Sequence, residues 1–468
     1  MASPSQQPEL LDIFPPGSRI DDDGELVVGG CRLSELAATW GTPLYVVDEG
    51  AVRANVRRFG GALAARRADS RMVFASKAFP CTAMYRLMAS EGIGVDVAGA
   101  GELAMALAGG VDPALIVMHG NAKTTAELAM AVDAGVGLIV IDNEDDVDRL
   151  EGLVRTEQPV LLRVIPGVRP DTHEAVATGQ AGSKFGLLPD DARKVIARLL
   201  DSGRRGGRLR LDGLHAHIGS QILATEPYAR AVEAVARLGE FPVYNLGGGL
   251  GVRYTYGDRP PSLEDWTGTL AEAAHRYLPR GARLMIEPGR SLTAPFGVTV
   301  YTVVSVKGDE PRFVAVDGGM ADNMEVALYG QRFEATLTGR VGGGDSVELV
   351  GRQCESGDKL ISGVALRDPR PGDLVAVAVT GAYCYSLASN YNGAMRPPVV
   401  FCSDGQARLV VRRETFADFL SRDCPPLGER EQAAHLRRAA RRRPAGRPAG
   451  CLPRRPHRRA TGLTARIG

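Results

Sequence analysis

Eight short apolar runs lie between residues 70 and 290, separated by helix-like stretches and each closing on polar residues. They predict an α/β protein built on a closed (β/α)8 TIM-like barrel. A change after residue 290 to β-branched alternation predicts a C-terminal antiparallel all-β domain. The length of 468 residues accommodates both, because a single core rarely extends that far.

In chain order, residues 1–48 carry "GELVVGGCRLSELA" and "TPLYVVDEG", strand-like stretches expected to join the β domain before the chain enters the barrel at residue 49. The barrel, 49–290, is read from "MVFASK", "GVDVAG", "LIVMHGN", "GLIVIDN", "VLLRVIPG", "LDGLHAHIG", "VYNLGGG" and "RLMIEPG". Segments such as "GELAMALAGG" and "PDDARKVIARLLDSG" have the composition and period of the intervening helices. Over 291–420 the runs "GVTVYTVVSV", "RFVAVDGG", "SVELVGR", "DLVAVAVTG", "PPVVF" and "ARLVVRR" alternate as strands do.

Residues 421–468 read as an Arg/Pro-rich disordered tail without an apolar face. Residues 431–468 hold eleven Arg, no Lys and one Glu, a local charge of +10 inside a chain whose net charge is +1. No aromatic side chains interleave these arginines, so single-strand nucleic-acid binding is not expected. Out-of-frame translation of GC-rich coding sequence accounts for the composition better.

Apolar content of 44% and charged content of 24% are those of a soluble globular protein. No eighteen-residue apolar window and no basic-then-apolar leader occur, so neither a membrane span nor export is expected. Cysteines at 31, 81, 354, 384, 402, 424 and 451 are odd in number and form no CxxC pair. They suit a reducing, cytoplasmic setting without structural zinc. "HAH" at 215–217 places two histidines on one face of a strand, the nearest approach to metal spacing, and no metal is expected.

The chemistry begins at "RMVFASKAFP", where a buried-type strand ends on Lys77. Alone, that lysine reads as a solvated strand end. Seven further polar residues, Asp96, His119, Asn143, Arg163, His217, Asn245 and Glu287, are expected at the same mouth, where this fold carries its active site. "NLGGGLG" and "EPGR" add glycine-rich turns that let backbone amides approach an anion. An amine able to form a Schiff base, a phosphate cradle and a carboxylate able to hold a pyridine nitrogen together imply pyridoxal phosphate.

The motifs "FASKAFP", "GVDVAGAGEL", "SKFG", "HAHIGSQ", "NLGGGLG", "EPGR", "ALYG", "CESGD" and "GAYCYSLASNYNGAMRP" follow in this order over roughly residues 30–415. In them the chain resembles the diaminopimelate decarboxylases, which belong with ornithine decarboxylase and alanine racemase among the barrel-type pyridoxal-phosphate enzymes. The resemblance implies that Lys77 carries the cofactor, that His217 stacks on its ring, and that Asp96 sits beside the attachment point. Glu287 would pair with the ring nitrogen; Ser220, Gly248, Gly249, Pro288, Gly289 and Arg290 would surround the phosphate, and Tyr383 would touch phosphate and substrate. Cys354, as a proton donor, and Glu355 would enter from the other subunit of a homodimer with shared active sites. Arg290, Tyr329, Glu355 and Tyr383 would hold an amino-acid substrate.

One departure stands out. Where the family carries an arginine in a stretch of the form "RPALY", this chain reads "MEVALYG", with Glu325 in its place. Either Glu325 faces the substrate's distal end and opposes a carboxylate there, or it points outward and Arg332 takes over. The resemblance implies decarboxylation of meso-2,6-diaminopimelate to L-lysine; the alternatives are a paralogous decarboxylase of another amino acid and a non-catalytic pyridoxal-phosphate protein. Glu287 argues against a racemase, since those that resemble alanine racemase place arginine there.

Overall fold

Alternation along the barrel strands assigns every second residue to one of two cores. A computed structural model describes residues 10–171, 178–180 and 182–424. Three short strands, β1 (Arg19–Ile20), β2 (Leu26–Val28) and β3 (Cys31–Arg32), precede β4 (Leu44–Asp48). The barrel strands follow as β5 (Ser70–Ala75), β6 (Gly94–Val97), β7 (Ile116–Met118), β8 (Leu138–Ile141), β9 (Gln158–Arg163), β10 (Leu209–His215), β11 (Val243–Asn245) and β12 (Arg283–Ile286). Each pairs in parallel with the next, and β12 pairs with β5 to close the ring.

Val73, Val117, Leu138, Val140, Leu161, Val243 and Met285 fill the inside of that ring as a cluster of their own. Their strand neighbours, Phe74, Ile116, Ile139, Val160 and Leu284 among them, belong to the larger core that includes the helices. Each fully buried Val or Leu side chain contributes about 1.5–3 kcal/mol. Gly213 in β10 is forced by close packing, because a Cβ there would lie 1.8 Å from the Val243 carbonyl oxygen. The helices start where the sequence supplies caps: Thr124 and Glu127 form a capping box at Thr125–Ala134, and Asn143 caps Glu144–Leu153.

The remaining strands are β13 (Gly297–Lys307), β14 (Phe313–Val316), β15 (Ala335–Leu337), β16 (Asp345–Val350), β17 (Lys359–Leu366), β18 (Leu374–Val377), β19 (Val399–Ser403) and β20 (Gln406–Val411). They form a nine-stranded sheet with β4, in the order β17-β16-β14-β13-β4-β19-β20, with β18 joining β13 and β15 at the side. β4 therefore lies inside a sheet otherwise built from the C-terminal half, antiparallel to β13 and parallel to β19.

Three details differ from the expectation. The sheet is mixed, because β14–β16 also pair in parallel. β1–β3 form a small sheet of their own, and "RLSELA" turns into the helix Leu33–Trp40. β15 and β17 lie outside the expected runs. Among the described residues, those up to Arg413 make one compact unit, and Glu414 begins a second, which contains a short helix, Phe416–Phe419, capped by Thr415. The expected tail falls, from residue 425 on, outside the described residues.

Candidate active site

β5 ends at Ala75, and a single 3-10 turn, Ser76–Ala78, swings Lys77 out of the strand line into the barrel mouth. Asp96 fixes that turn. Its Oδ1 accepts from the Ser76 amide at 3.0 Å, and its carbonyl accepts from the Ser76 hydroxyl. Tyr383 closes the other side, donating its amide to the Ala78 carbonyl at 2.8 Å. It does so at φ +64°, a left-handed conformation that a tyrosine adopts only where its surroundings impose it, at a cost of about 1–3 kcal/mol.

Lys77 stands in a cavity of ≈ 590 Å³, a size suited to a small ligand. Lys77, Asp96 and His119 line it from β5–β7; Arg163, His215, His217 and Ser220 from β9–β10; Gly248, Glu287 and Arg290 from β11–β12; Tyr329 and Tyr383 from beyond the barrel. Six of the eight strand-end residues expected at the mouth thus reach the cavity. Asn245 lies behind it, donating from Nδ2 to Glu287 at 2.6 Å. Asn143 does not belong to the site, because its side chain is spent on capping the following helix.

Glu287 is 6% exposed and accepts three hydrogen bonds. Besides Asn245, His119 Nε2 donates at 2.8 Å and His215 Nε2 at 3.0 Å. Burial opposes its charge, yet the two imidazoles hold the Glu287 carboxyl well below the usual carboxylate range. Burial pushes the His215 ring down to about 4, so it donates as a neutral imidazole. Burial raises Asp96 well above its ordinary value, reinforced by the charge of Glu287 and countered by Lys77. His217 is likewise kept neutral, by burial and then by Lys77 and Arg163, and its Nδ1 accepts from the Gly248 amide at 3.2 Å.

Arg290 sits at the far side, 5% exposed. Its Nε donates to Ser220 Oγ at 3.1 Å and its Nη1 to the Tyr254 hydroxyl and, at 2.9 Å, to Glu325 Oε1. Its guanidinium carbon lies 4.4 Å from the Tyr383 ring centre. Glu325 is fully buried and does not line the cavity, so it neither points outward nor faces the substrate's distal end directly. The helix Glu325–Tyr329 explains its place: residues four apart share a face, so Tyr329 reaches the cavity and Glu325 lies one turn deeper, behind Arg290. Arg332 is exposed and does not line the cavity.

Cys354 and Glu355 are exposed and do not line the cavity of their own chain. Their loop is nevertheless held: the Cys354 amide donates to Asn392 Oδ1 at 2.6 Å, and Asp358 accepts from the amides of Gln353 and Met320. Reasoning from sequence missed His215, although "HAH" marked it as sharing a face with His217. It also missed Tyr254, which no local pattern distinguishes from a core tyrosine.

The residues fit pyridoxal phosphate. The primary amine of Lys77 and an ionised carboxylate face one cavity. The turns beside Ser220 and Arg290 have no room for side chains. A Cβ on Gly248 would lie 2.2 Å from the Glu287 carbonyl, one on Gly249 (φ +111°) 2.4 Å from that of Gly219, and one on Gly289 2.9 Å from Ala75 Cβ. Of these glycines Gly248 lines the cavity, while Gly249, Pro288 and Gly289 lie in the tight turns beside it and do not reach it; such turns let backbone amides approach a phosphate. His119, His215 and Glu287 also offer donor atoms within 4.8 Å of one another, but direct hydrogen bonds already join them.

Comparison with known proteins agrees. The family model for the pyridoxal-binding domain of pyridoxal-dependent decarboxylases matches residues 49–294. Diaminopimelate decarboxylase of Actinosynnema pretiosum subsp. auranticum is 45% identical over 88% of this chain and 95% of its own length. That of Bacillus subtilis is 41% identical over 87% and 97%. The crystal structure of the M. jannaschii diaminopimelate decarboxylase in complex with L-lysine superposes with a TM-score of 0.81 at 30% identity, covering 88% of this chain and 98% of that one.

Proposed function

Because the chain belongs to the diaminopimelate decarboxylase family of pyridoxal-phosphate carboxy-lyases, we propose that it converts meso-2,6-diaminopimelate to L-lysine and carbon dioxide, in lysine biosynthesis. The observation that carries this reading is the pairing, in one cavity, of the Lys77 amine with a Glu287 carboxylate held ionised by His119, His215 and Asn245.

When bound, the cofactor supplies a protonated pyridine ring as the sink for the electron pair left at Cα by loss of carbon dioxide. The protein's part is to place and polarise. Lys77 provides the covalent anchor. Glu287 keeps a proton on the ring nitrogen by favouring the charged form, and its three donors keep it from taking that proton itself. His217, neutral and fixed by the Gly248 amide, offers a flat uncharged face to the ring. Asp96 fixes the Lys77 turn, while Ser220, Gly248, Arg290 and the turns carrying Gly249 and Gly289 would hold the phosphate. Forming L-lysine from the meso compound requires that carbon dioxide leave the D centre. Arg290, Tyr329 and Tyr383 then face the other, distal end.

A proton must finally reach Cα, and among the described residues no thiol lines the cavity. The exposed, braced Cys354 supports a homodimer in which each subunit's Cys354 Sγ and Glu355 complete the other's site. No described helix is long and apolar enough to cross a membrane. The six described cysteines are free thiols, which supports a cytoplasmic setting.

The test is carbon dioxide release with L-lysine formation from diaminopimelate by the pyridoxal-phosphate-loaded protein; no release would remove the reading. For the shared site, mixing Lys77→Ala with Cys354→Ala protein should restore about a quarter of wild-type activity, from one intact site in half the dimers. No recovery despite subunit exchange would place the proton donor elsewhere.

A further inference from the structure

Arg290 has five N–H donors, and the protein engages three of them from behind before any substrate arrives. Nε is bound to Ser220, and Nη1 to Tyr254 and to the carboxylate of Glu325 at 2.9 Å. Glu325 is 0% exposed, so water does not screen it. A lone arginine facing a partly dry cavity would attract an anion strongly. This one is paired with the Glu325 carboxylate at 2.9 Å, so an arriving carboxylate meets attraction from Arg290 and repulsion from Glu325 together. Around Arg290 the cavity wall is otherwise neutral, formed by the phenols of Tyr329 and Tyr383. Among the described residues, the other lysine and arginine lining the cavity are Lys77, committed to the cofactor, and Arg163, which lies 4.3 Å over the Phe185 ring.

We propose that Glu325 is a specificity-determining residue: by closing a buried ion pair on Arg290 it removes net positive charge from the distal end of the site, so diamino acids that lack a distal carboxylate are also substrates. The inference rests on the decarboxylase reading above. Its direct counterpart of diaminopimelate is D-lysine, which presents the same reacting centre and a distal ammonium alone. There the bond from Cα to the carboxylate breaks, carbon dioxide leaves, and a proton from the site's acid takes its place to give cadaverine. D-Ornithine would give putrescine in the same way. Glu325 acts on specificity through Arg290, without lining the cavity itself.

The decisive comparison needs no turnover. L-Lysine and cadaverine, the two products, differ only by the distal carboxylate, so the ratio of their dissociation constants on pyridoxal-phosphate-loaded protein reads what that carboxylate contributes. In wild type L-lysine should bind within about tenfold of cadaverine, and kcat/KM for D-lysine should fall within about tenfold of that for diaminopimelate. Glu325→Gln keeps the shape and frees the charge of Arg290. It should tighten L-lysine by about tenfold while leaving cadaverine unchanged or weaker, and lower KM for diaminopimelate more than it changes kcat.

A wild-type ratio above about a hundredfold in favour of L-lysine would overturn the inference while leaving the decarboxylase reading intact. So would a Glu325→Gln protein in which both ligands shift equally, the mark of a merely structural role. The wild-type ratio decides the matter even where the variant fails to fold. Carbon dioxide release from none of these amino acids would instead remove the decarboxylase reading itself.

Discussion

Glu287 and Glu325 are both buried carboxylates at the same end of the barrel, one 6% and the other 0% exposed, yet their surroundings set them to different tasks. Glu287 takes three hydrogen bonds from a histidine pair and an asparagine and pairs with no guanidinium or ammonium group. Its own negative charge is therefore left over, available to a protonated ring. Glu325 takes its hydrogen bonds from Arg290 and Tyr254, and the arginine cancels it. A buried carboxylate held by imidazole and amide donors is a tool for holding a cation. One whose partner is an arginine instead switches that arginine off.

The contrast can be broken most sharply at Glu287. Glu287→Gln removes the uncancelled charge and should lower kcat by about 10²–10³-fold with the cofactor still attached. A loss under about tenfold would mean that the ring proton does not depend on this carboxylate. Removing a donor tests the same point more gently. His215→Phe should cost about tenfold in kcat, and His215→Gln, which can place an N–H at similar reach, should recover part of it.

His215 also makes stability depend on pH. Its ring titrates at about 4 in the folded protein against an ordinary 6.5, so the unfolded chain binds the proton more readily. The resulting contribution, up to about 3 kcal/mol, is complete above pH 6.5 and is lost as pH falls toward 4. Urea unfolding of the His215→Gln protein should show a flatter pH dependence across that window. Equal slopes in both proteins would mean that the ring is charged in the fold. On the Glu325 side, Tyr254→Phe removes only the hydroxyl that Arg290 and Glu325 share. It should cost about 1–2 kcal/mol in urea unfolding, with little change in kcat.

The two carboxylates also differ in how far the sequence revealed them. Glu287 closes an apolar strand beside "PGR", and its position at the mouth follows from strand period and fold alone. The eight barrel strands were legible because each is a short apolar run closing on polar residues and followed by a helix-like stretch. Glu325 was visible as an unexpected residue, but its orientation was not. That depends on Arg290, thirty-five positions away in sequence, and on Tyr254, which enters from a third segment.

The overlooked strands have local causes. β15 is three residues long, too short for a period, and Gly363 at φ +74° interrupts the alternation of β17. The position of β4 within the later sheet is likewise a long-range pairing that no window of sequence contains.

All of this presupposes that Lys77 is the anchor. Borohydride reduction of the pyridoxal-phosphate-loaded protein, followed by peptide mapping, reads that directly. Lys77 is the only lysine lining the cavity among the described residues, whereas Lys123 is buried against Asp146 and Lys184 packs on Phe185. The account predicts a single labelled peptide carrying the cofactor on Lys77. Label on Lys123 or Lys184, or no label at all, would contradict it.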